Sequence, residues 1–223
     1  MKRLIPQIFI ALFAVVLFTS CEDDEDNDGV FRGSPVLVTE SRDLPSFHSV
    51  VASTSLEIEI TAGQTQSVEI TSNENLIDRV NTTVNAGVLT IEMEPGSYEF
   101  LSLEVQLVIP ELILMENHGA GAIRINGFEE TEELTIRNSG AASFSVTGSG
   151  QSLEVDLSGS GDVNAFDFAA NDVIINLSGA GNIEVSAAEN LSGFLSGAGN
   201  ISYKGTPTVD INISGAGRVV NAN

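Results

Sequence analysis

A short glycine-rich unit recurs six times in the second half of the chain. Its first glycines lie 18 to 21 residues apart, a spacing that varies a little from one unit to the next. Each interval has room for two or three short strands, such as residues 153–157 and 173–177, but not for a helix followed by a strand. Repetition of this length indicates a solenoid, in which each repeat stacks on its neighbours around a continuous core.

We predict that the glycines of the repeat form one corner of each coil. Strands of neighbouring coils lie about 4.8 Å apart, so a bulky side chain at a corner would collide with its equivalents above and below. Glycine allows close approach and positive φ angles, and the alanine between two glycines is expected to point into a narrow interior. The predicted corner glycines, all within residues 118–219, are Gly119, Gly121, Gly140, Gly159, Gly161, Gly179, Gly181, Gly197, Gly199, Gly215 and Gly217.

The residue after the second glycine is polar in the last four units. These residues are Asp162, Asn182, Asn200 and Arg218. Polar side chains that stack at one corner can hydrogen-bond to each other along the stack. We therefore expect a solvated corner or a hydrogen-bonded ladder at this position.

The first half of the chain alternates apolar and polar residues. Residues 56–60 and 67–70 alternate on either side of Gly63, and residues 88–93 and 103–109 continue the pattern. A period of two is typical of half-buried strands, and no stretch of comparable length has the period of a helix. The sequence thus predicts an all-β domain over residues 45–223, folded as a parallel β-helix (β-solenoid) with coils of about 18 to 21 residues.

The alternating first half followed by Ser-Gly-Ala-Gly-Asn units resembles the auto-transporter adhesin head domain, also called the head GIN domain. The resemblance covers roughly residues 45 to 220. It implies a right-handed parallel β-helix on a secreted or lipid-anchored bacterial protein. It also implies an adhesin-like binding role, or the role of a scaffold in the cell envelope.

The N-terminus resembles the signal peptide of a bacterial lipoprotein. Lys2 and Arg3 precede an apolar stretch over residues 4–18, which is too short to span a bilayer comfortably. Residues 17–20 then lead into Cys21 in the manner of a lipobox, so we predict a signal peptide over residues 1–20 and a lipid on Cys21. Because Cys21 is the only cysteine, no disulfide can form within the chain.

An acidic segment follows the cysteine, and residues 21–44 are predicted to be a disordered tether. A cysteine followed by acids resembles the surface-export signal of lipoproteins in the Bacteroidetes, whereas a plain spacer is the alternative. The predicted localisation is the outer membrane with exposure at the cell surface, and the periplasmic face is the alternative. The residues of the predicted export signal are Glu22, Asp23, Asp24, Glu25 and Asp26.

A formal charge of −22 limits the partners of the chain. Nucleic acid and other polyanions would be repelled, so a ligand is expected to be neutral, cationic or bridged by cations. The expected partners are the membrane, through the lipid anchor, and an extracellular glycan or protein. The coils at the ends of the stack are expected to be exposed, so a homo-oligomer is a further alternative.

No cofactor and no metal site are predicted. The repeated Gly-Ala-Gly lacks the third glycine and the following helix of a dinucleotide-binding site. Residues 24–29 match the first half of an EF-hand loop, but Pro35 stands where the bidentate glutamate should be. The two histidines, His48 and His118, are 70 residues apart and suggest no metal site.

No catalytic residue is predicted, and the chain is expected not to be an enzyme. The preferred function is a non-enzymatic, lipid-anchored module of the cell surface with an adhesin-like or scaffold role. The alternative is a carbohydrate-binding or carbohydrate-processing β-helix protein associated with glycan uptake, since β-helix enzymes do act on polysaccharides. Its acid and base groups would come from a set of aspartates whose spacing defines no fixed pair: Asp156, Asp162, Asp167 and Asp172.

Overall fold

The computed structural model describes residues 29–223, and strands account for most of them. The predicted leader, Cys21 and the acidic export signal lie outside these residues. Within the described range the one helical element is a 3-10 turn at Ile77–Arg79, and no helix there is long and apolar enough to cross a membrane. The strands are β1 (Val30–Arg32), β2 (Leu37–Ser41), β3 (Ser49–Ala52), β4 (Leu56–Ala62), β5 (Ser67–Asn73), β6 (Val80–Asn85), β7 (Val88–Met93), β8 (Ser97–Glu99), β9 (Leu103–Ile109), β10 (Leu114–Asn117), β11 (Ala120–Asn138), β12 (Ala141–Leu157), β13 (Val163–Leu177), β14 (Ile183–Leu195), β15 (Ile201–Lys204), β16 (Thr208–Ile213) and β17 (Val219–Asn221).

The second half of the chain forms a stack of parallel strands with one repeat in each layer. β11 pairs with β12, β12 with β13, and β13 with β14, in each case in parallel. Equivalent positions of the repeat therefore lie beside one another, as in the series Leu134, Leu153, Val173 and Leu191. The stack has about five turns, and the predicted all-β solenoid is confirmed.

Alternation along each strand gives every coil an apolar inner face. In β13, Val173 and Ile175 are buried, whereas Ile174 between them is exposed. Each inward side chain stacks on the inward side chains of the coils above and below, and the buried residues form one continuous hydrophobic cluster. Removal of this aliphatic surface from water is the main force that stabilises the stack.

The long strands turn through a bend of the coil without losing their pairing. β12 bends at Gly148, which has a φ of 139° and whose added Cβ would lie 2.1 Å from the carbonyl oxygen of Phe128 in the neighbouring coil. Register shifts in β11 on either side of Phe128 mark the equivalent bend there. Such bulges allow one strand to cover two sides of a coil.

Antiparallel strands cover the N-terminal end of the stack. β9 pairs in parallel with β4 on one side and antiparallel with β5 on the other, and β5 also pairs with β2. On the adjoining side of the coil, β6 pairs antiparallel with β7. β2 and β6 are therefore the last strands at this end among the described residues, and the core beneath them is covered, since Ile70 of β5 and Val80 of β6 are buried.

Part of the predicted tether is folded. Residues 30–32 form β1 beside β8, and residues 37–41 form β2 beside β5. Phe31 packs against Tyr98 with 5.5 Å between ring centroids, and the guanidinium of Arg79 lies 3.7 Å from the centre of the Phe31 ring. A tether that reaches residue 44 is thus too long, because apolar residues with packing partners follow directly after the acidic run.

The coil that comes first in the sequence does not lie at the end of the stack. β3 and β4 lie between the coil formed by β7 and β9 and the coil formed by β10 and β11. The consecutive strands β4 and β5 do not pair with each other, because β9 separates them. The strands that cover the N-terminal end, which we call the N-terminal cover, are β1, β2, β5, β6 and β8. After β3 and β4 the chain completes this cover and then returns with β10 to the other side of β3.

Candidate functional site

Each predicted corner brings a glycine onto the backbone of the neighbouring coil. A Cβ atom added to Gly181 would lie 1.8 Å from the carbonyl oxygen of Gly161, and one added to Gly161 would lie 1.7 Å from the carbonyl oxygen of Ala142. At every predicted corner glycine the nearest backbone oxygen would lie within 2.1 Å of the added atom. No side chain fits at that distance, so the close approach of the coils requires glycine at these positions. One repeat departs from this pattern, because the buried Ala142 occupies the position of its second glycine.

Two details of the corner differ from the sequence prediction. The alanine between the two glycines points outward, since Ala180 and Ala198 are exposed, whereas Gly181 is buried. Among the predicted corner glycines, Gly121 alone has a positive φ, at 130°. The glycines are thus explained by close approach of neighbouring coils and, except at Gly121, not by a left-handed backbone.

The outward alanines and the serines that precede the glycines line a shallow depression along the stack, which we call the corner groove. It has a volume of about 980 Å³ and crosses successive coils from Ser55 to Ala216. The serines that precede the glycines and line it are Ser139, Ser158, Ser178 and Ser196, and Ser160 lines it at an alanine position. A hydroxyl group both donates and accepts hydrogen bonds, so the corner groove offers the same polar contact once per coil.

Polar side chains form a hydrogen-bonded ladder beside the corner groove. Asn182 donates its backbone N–H to Asp162 Oδ1 at 2.7 Å and its Nδ2 to the same oxygen at 3.1 Å. Asn200 repeats both contacts with Asn182 Oδ1, at 3.3 and 3.0 Å. The ladder is therefore present over three coils, where it holds neighbouring corners in register.

His118 lies at the first corner and bonds to the next coil. Its Nδ1 is 2.7 Å from Ser139 Oγ, and its Nε2 is 3.0 Å from Glu116 Oε1. Both ring nitrogens thus contact neighbouring side chains, which is typical of a histidine with a structural role. His48 contacts Ser49 Oγ at 3.1 Å, and residues 29–223 contain no cluster of three or more metal-ligating side chains.

A second depression, which we call the acidic cleft, was not predicted from the sequence. It has a volume of about 990 Å³, and the buried Leu112 and Phe128 contribute to its lining. The glutamates that line it are Glu111, Glu129, Glu130, Glu132 and Glu133. Carboxylates beside apolar side chains favour a ligand that carries a cationic group next to an apolar one.

Extra residues in one coil build the rim of the acidic cleft. β11 carries register shifts on both sides of Phe128, and Glu130 has a φ of 57°, which is uncommon for a residue with a side chain. The interval from Gly119 to Gly140 is 21 residues, the longest of the series, and residues 129–133 interrupt its alternation with acids. These two signals could have located the acidic cleft in the sequence.

The aspartates considered above as acid and base groups do not converge on one site. Asp156 accepts a hydrogen bond from Asn176 Nδ2 at 2.8 Å, and Asp172 accepts one from Asn190 Nδ2 at 2.6 Å. In both pairs the partner is the equivalent residue of the adjacent coil, as it is for Asp162 in the polar ladder. Asp167 is exposed. Three of the four carboxylates therefore bond neighbouring coils together.

Tyr98 has an altered ionisation that follows from its packing. Burial raises the pKa of Tyr98 above its ordinary value, and the positive charge of Arg79 partly opposes that rise. The Tyr98 hydroxyl donates to the carbonyl oxygen of Glu94 at 2.7 Å. The neutral tyrosine thus helps to hold β8 in the N-terminal cover.

Solved structures share this fold. A "putative adhesin" from Bacteroides fragilis matches with a TM-score of 0.71 and 22% identity, over 86% of this chain and 99% of that chain. A "putative adhesin" from Parabacteroides merdae has a TM-score of 0.51 and 18% identity, over 87% and 100% of the two chains. A "putative lipid binding protein" from Parabacteroides distasonis has a TM-score of 0.53 and 21% identity, also over 87% and 100%. In each comparison the likeness extends over nearly the whole solved chain.

Among curated proteins, no significant match was found. The sequence does match the family described as "Putative auto-transporter adhesin, head GIN domain" over residues 46–207. This range contains most of the N-terminal cover and all but the last of the glycine corners, and the resemblance inferred from the sequence is confirmed. Since the match spans well over half of the chain, the chain belongs to the auto-transporter adhesin head GIN domain family.

Proposed function

We propose that this chain is a non-enzymatic, lipid-anchored, adhesin-like module of the outer cell surface that binds an extended ligand along the corner groove. The observation that carries the proposal is the repetition within the corner groove, where most coils present serine, glycine and alanine in that order, with His118 in place of the serine in the first repeat and Ser160 in place of the alanine in the third. Solenoids commonly bind through such extended, repetitive faces. The adhesin description of the family supports a binding role over a catalytic one.

Charge narrows the class of ligand. With a net charge of −22, the protein repels polyanionic chains. A neutral glycan or an uncharged or cationic extended polypeptide is compatible with that charge. The acidic cleft, with its five glutamates, would strengthen the preference for a cationic group.

The lipid that we predict on Cys21 would hold the protein at the membrane permanently, because the acyl chains of a bacterial lipoprotein exceed the two signals that stable anchoring needs. The acidic residues that follow would keep the solenoid at a distance from the lipid surface. Gly29 leads into β1 at the covered end of the stack. The remaining coils, and the corner groove with them, would then extend away from the membrane.

Replacement of the predicted lipidated residue tests the anchoring. We expect Cys21→Ala to move the protein from the membrane fraction to the soluble fraction of fractionated cells, because the acyl chains can no longer be attached. Asp28→Asn, a change in the same acidic segment that leaves the cysteine intact, should stay in the membrane fraction. A Cys21→Ala protein that remains membrane-bound would contradict the lipid anchor.

Ligand binding tests the proposed use of the corner groove. We expect residues 29–223 to bind at least one member of an array of neutral and charged glycans and extended peptides, without releasing a product. Ala180→Trp, which fills the corner groove, should weaken that binding at least about tenfold, a loss of about 1.4 kcal/mol. The matched change Ala188→Trp, at an exposed alanine outside the corner groove, should leave binding unchanged.

The outcomes of the ligand array separate the functions considered. Release of a cleaved product would favour the carbohydrate-processing alternative. Equal binding by Ala180→Trp and the unaltered domain would place the ligand elsewhere on the surface, with the acidic cleft as the next face to vary. Absence of binding to every glycan and peptide would contradict the adhesin-like function and leave a scaffold role.

A further inference from the structure

The C-terminal end of the stack leaves the hydrophobic core open. One inward ladder runs from Val173 through Leu191 to Val209, and the first two residues are fully buried whereas Val209 is 41% exposed. A second ladder, which passes through Leu195, ends at Ile213, which is 48% exposed although Leu195 beneath it is fully buried. These end residues occupy core positions that no further strand among residues 29–223 covers.

The strands at this end also have a free edge. β16 pairs with β14 and β17 pairs with β15, and no strand among residues 29–223 lies against their outer edges. One corner of this coil is closed locally, because Asn223 accepts from the N–H of Gly205 at 2.9 Å and donates to its carbonyl oxygen at 2.7 Å. The two strands themselves remain free to pair with a further strand.

The two ends of the stack differ, and the difference limits how copies could join. Head-to-tail stacking would need exposed core residues at both ends, but at the N-terminal end the core residues Ile70 and Val80 are buried. The open ends of two copies can meet each other, related by a two-fold axis, which yields a closed pair and not a fibre. A two-fold axis reverses the direction of the coil, so the meeting strands would run antiparallel, a pairing that hydrogen bonds support well.

Charge favours the same contact. Residues 205–223, which we call the end coil, contain one acid and one base, Asp210 and Arg218, whereas the whole chain carries −22. Two copies therefore repel each other least when their end coils meet. The end coil of a second copy provides a neutral surface of the same kind.

We propose that two copies of this chain pair tail to tail through their end coils, with Val209 and Ile213 of each copy at the centre of the contact. The contact covers core residues that are otherwise exposed and pairs the free edges of β16 and β17. Fewer than 20 residues of each copy take part, which is the small end of interface sizes, so the pair should be weak, with a dissociation constant on the order of micromolar.

The pairing places residue 29 of one copy far from residue 29 of the other. Residue 29 lies at the covered end of each stack, so the two predicted tethers would leave from opposite ends of the pair. Such an arrangement suits contact between copies on facing surfaces. That last step rests on the proposed surface function, whereas the pairing itself does not.

Sedimentation velocity of residues 29–223 over the micromolar range tests the pairing without any membrane. We expect the mean mass to rise with concentration to twice that of one copy and to stop there. Ile213→Glu should abolish the rise, because it introduces like charges at the two-fold contact. Phe194→Glu, the same change in charge at a side chain 62% exposed on the outer wall, should leave the rise unchanged.

Several results would overturn the pairing. One copy at every concentration contradicts it, and so does growth beyond two copies, which would mean that the covered end also joins. Circular dichroism should show that Ile213→Glu is folded, and Val209→Lys provides a second test at the other ladder. If both folded variants associate as strongly as the unaltered domain, the end coil is not the contact.

Discussion

Gly181→Ala should lower the free energy of unfolding by at least about 3 kcal/mol, although it adds a single methyl group. That methyl carbon would lie 1.8 Å from the carbonyl oxygen of Gly161 and 2.9 Å from Cδ2 of Leu157. Because the nearest obstacle is backbone of the adjacent coil, no side-chain rotation can relieve it. The stack would have to separate locally, which breaks hydrogen bonds and opens the core.

Chemical denaturation followed by circular dichroism measures this loss. The entropy of the unfolded chain works in the opposite direction, since alanine is less flexible than glycine, but that gain is only about 0.4–1 kcal/mol. The control is Ala180→Ser at the neighbouring exposed position, where the preceding repeat already carries Ser160. We expect the control to change stability by no more than about 0.5 kcal/mol.

An equal effect of both changes would contradict the close-approach account of the corner. Gly199 offers an independent repetition, because its added Cβ would lie 1.7 Å from the carbonyl oxygen of Gly181. A mild effect at both glycines would mean that the coils separate easily, and the glycines would then need another explanation.

The parallel stack could be predicted because its cause is local and repeated. The interval between glycines gives the length of a coil, and the alternation of Val173, Ile174 and Ile175 tells which side chains enter the core. Once strands repeat at that interval, parallel pairing of equivalent residues follows. The same reasoning anticipated the ladder of Asp162, Asn182 and Asn200.

The direction of the corner alanine could not be predicted from residue types. Alanine and glycine are both small, and the sequence does not state which of them lies against the next backbone. The structure places Gly181 against its neighbour and turns Ala180 outward. The exposed alanines of successive coils therefore line the corner groove. The outward direction of these alanines thus decides where a ligand could lie.

The arrangement of the N-terminal cover could not be predicted from the sequence either, for a different reason. Alternation shows that β4, β5 and β9 are half-buried strands, but a period of two is the same in parallel and antiparallel pairs. Nothing in the pattern indicates that β9 lies between β4 and β5. The acidic cleft differs in this respect, because the long interval and the acids of residues 129–133 are visible in the sequence, whereas the bulges on either side of Phe128 arise from how the overlong coil fits its neighbours.

Removal of one complete coil should leave the whole stack folded, whereas removal of half a coil should unfold the strands that follow it. Deletion of residues 179–196 joins Ser178 to Gly197 and restores the repeat unit at the junction. In a solenoid, stability is approximately a sum over coils and their contacts, so the shortened stack should remain cooperative and be only moderately less stable. Deletion of residues 179–187 instead removes a corner and one side of a coil, and the downstream strands can no longer stack on their partners.

The thermal unfolding of these two deletion proteins, followed by circular dichroism, tests most directly whether equivalent coils stack on glycine corners. We predict one cooperative transition and an unchanged β-sheet signal per residue after loss of residues 179–196. After loss of residues 179–187 we predict a weaker β-sheet signal per residue and a lower melting temperature, because the strands that follow the deletion no longer stack. If the two proteins behave alike, whether both fold or both fail to fold, the coils are not interchangeable layers.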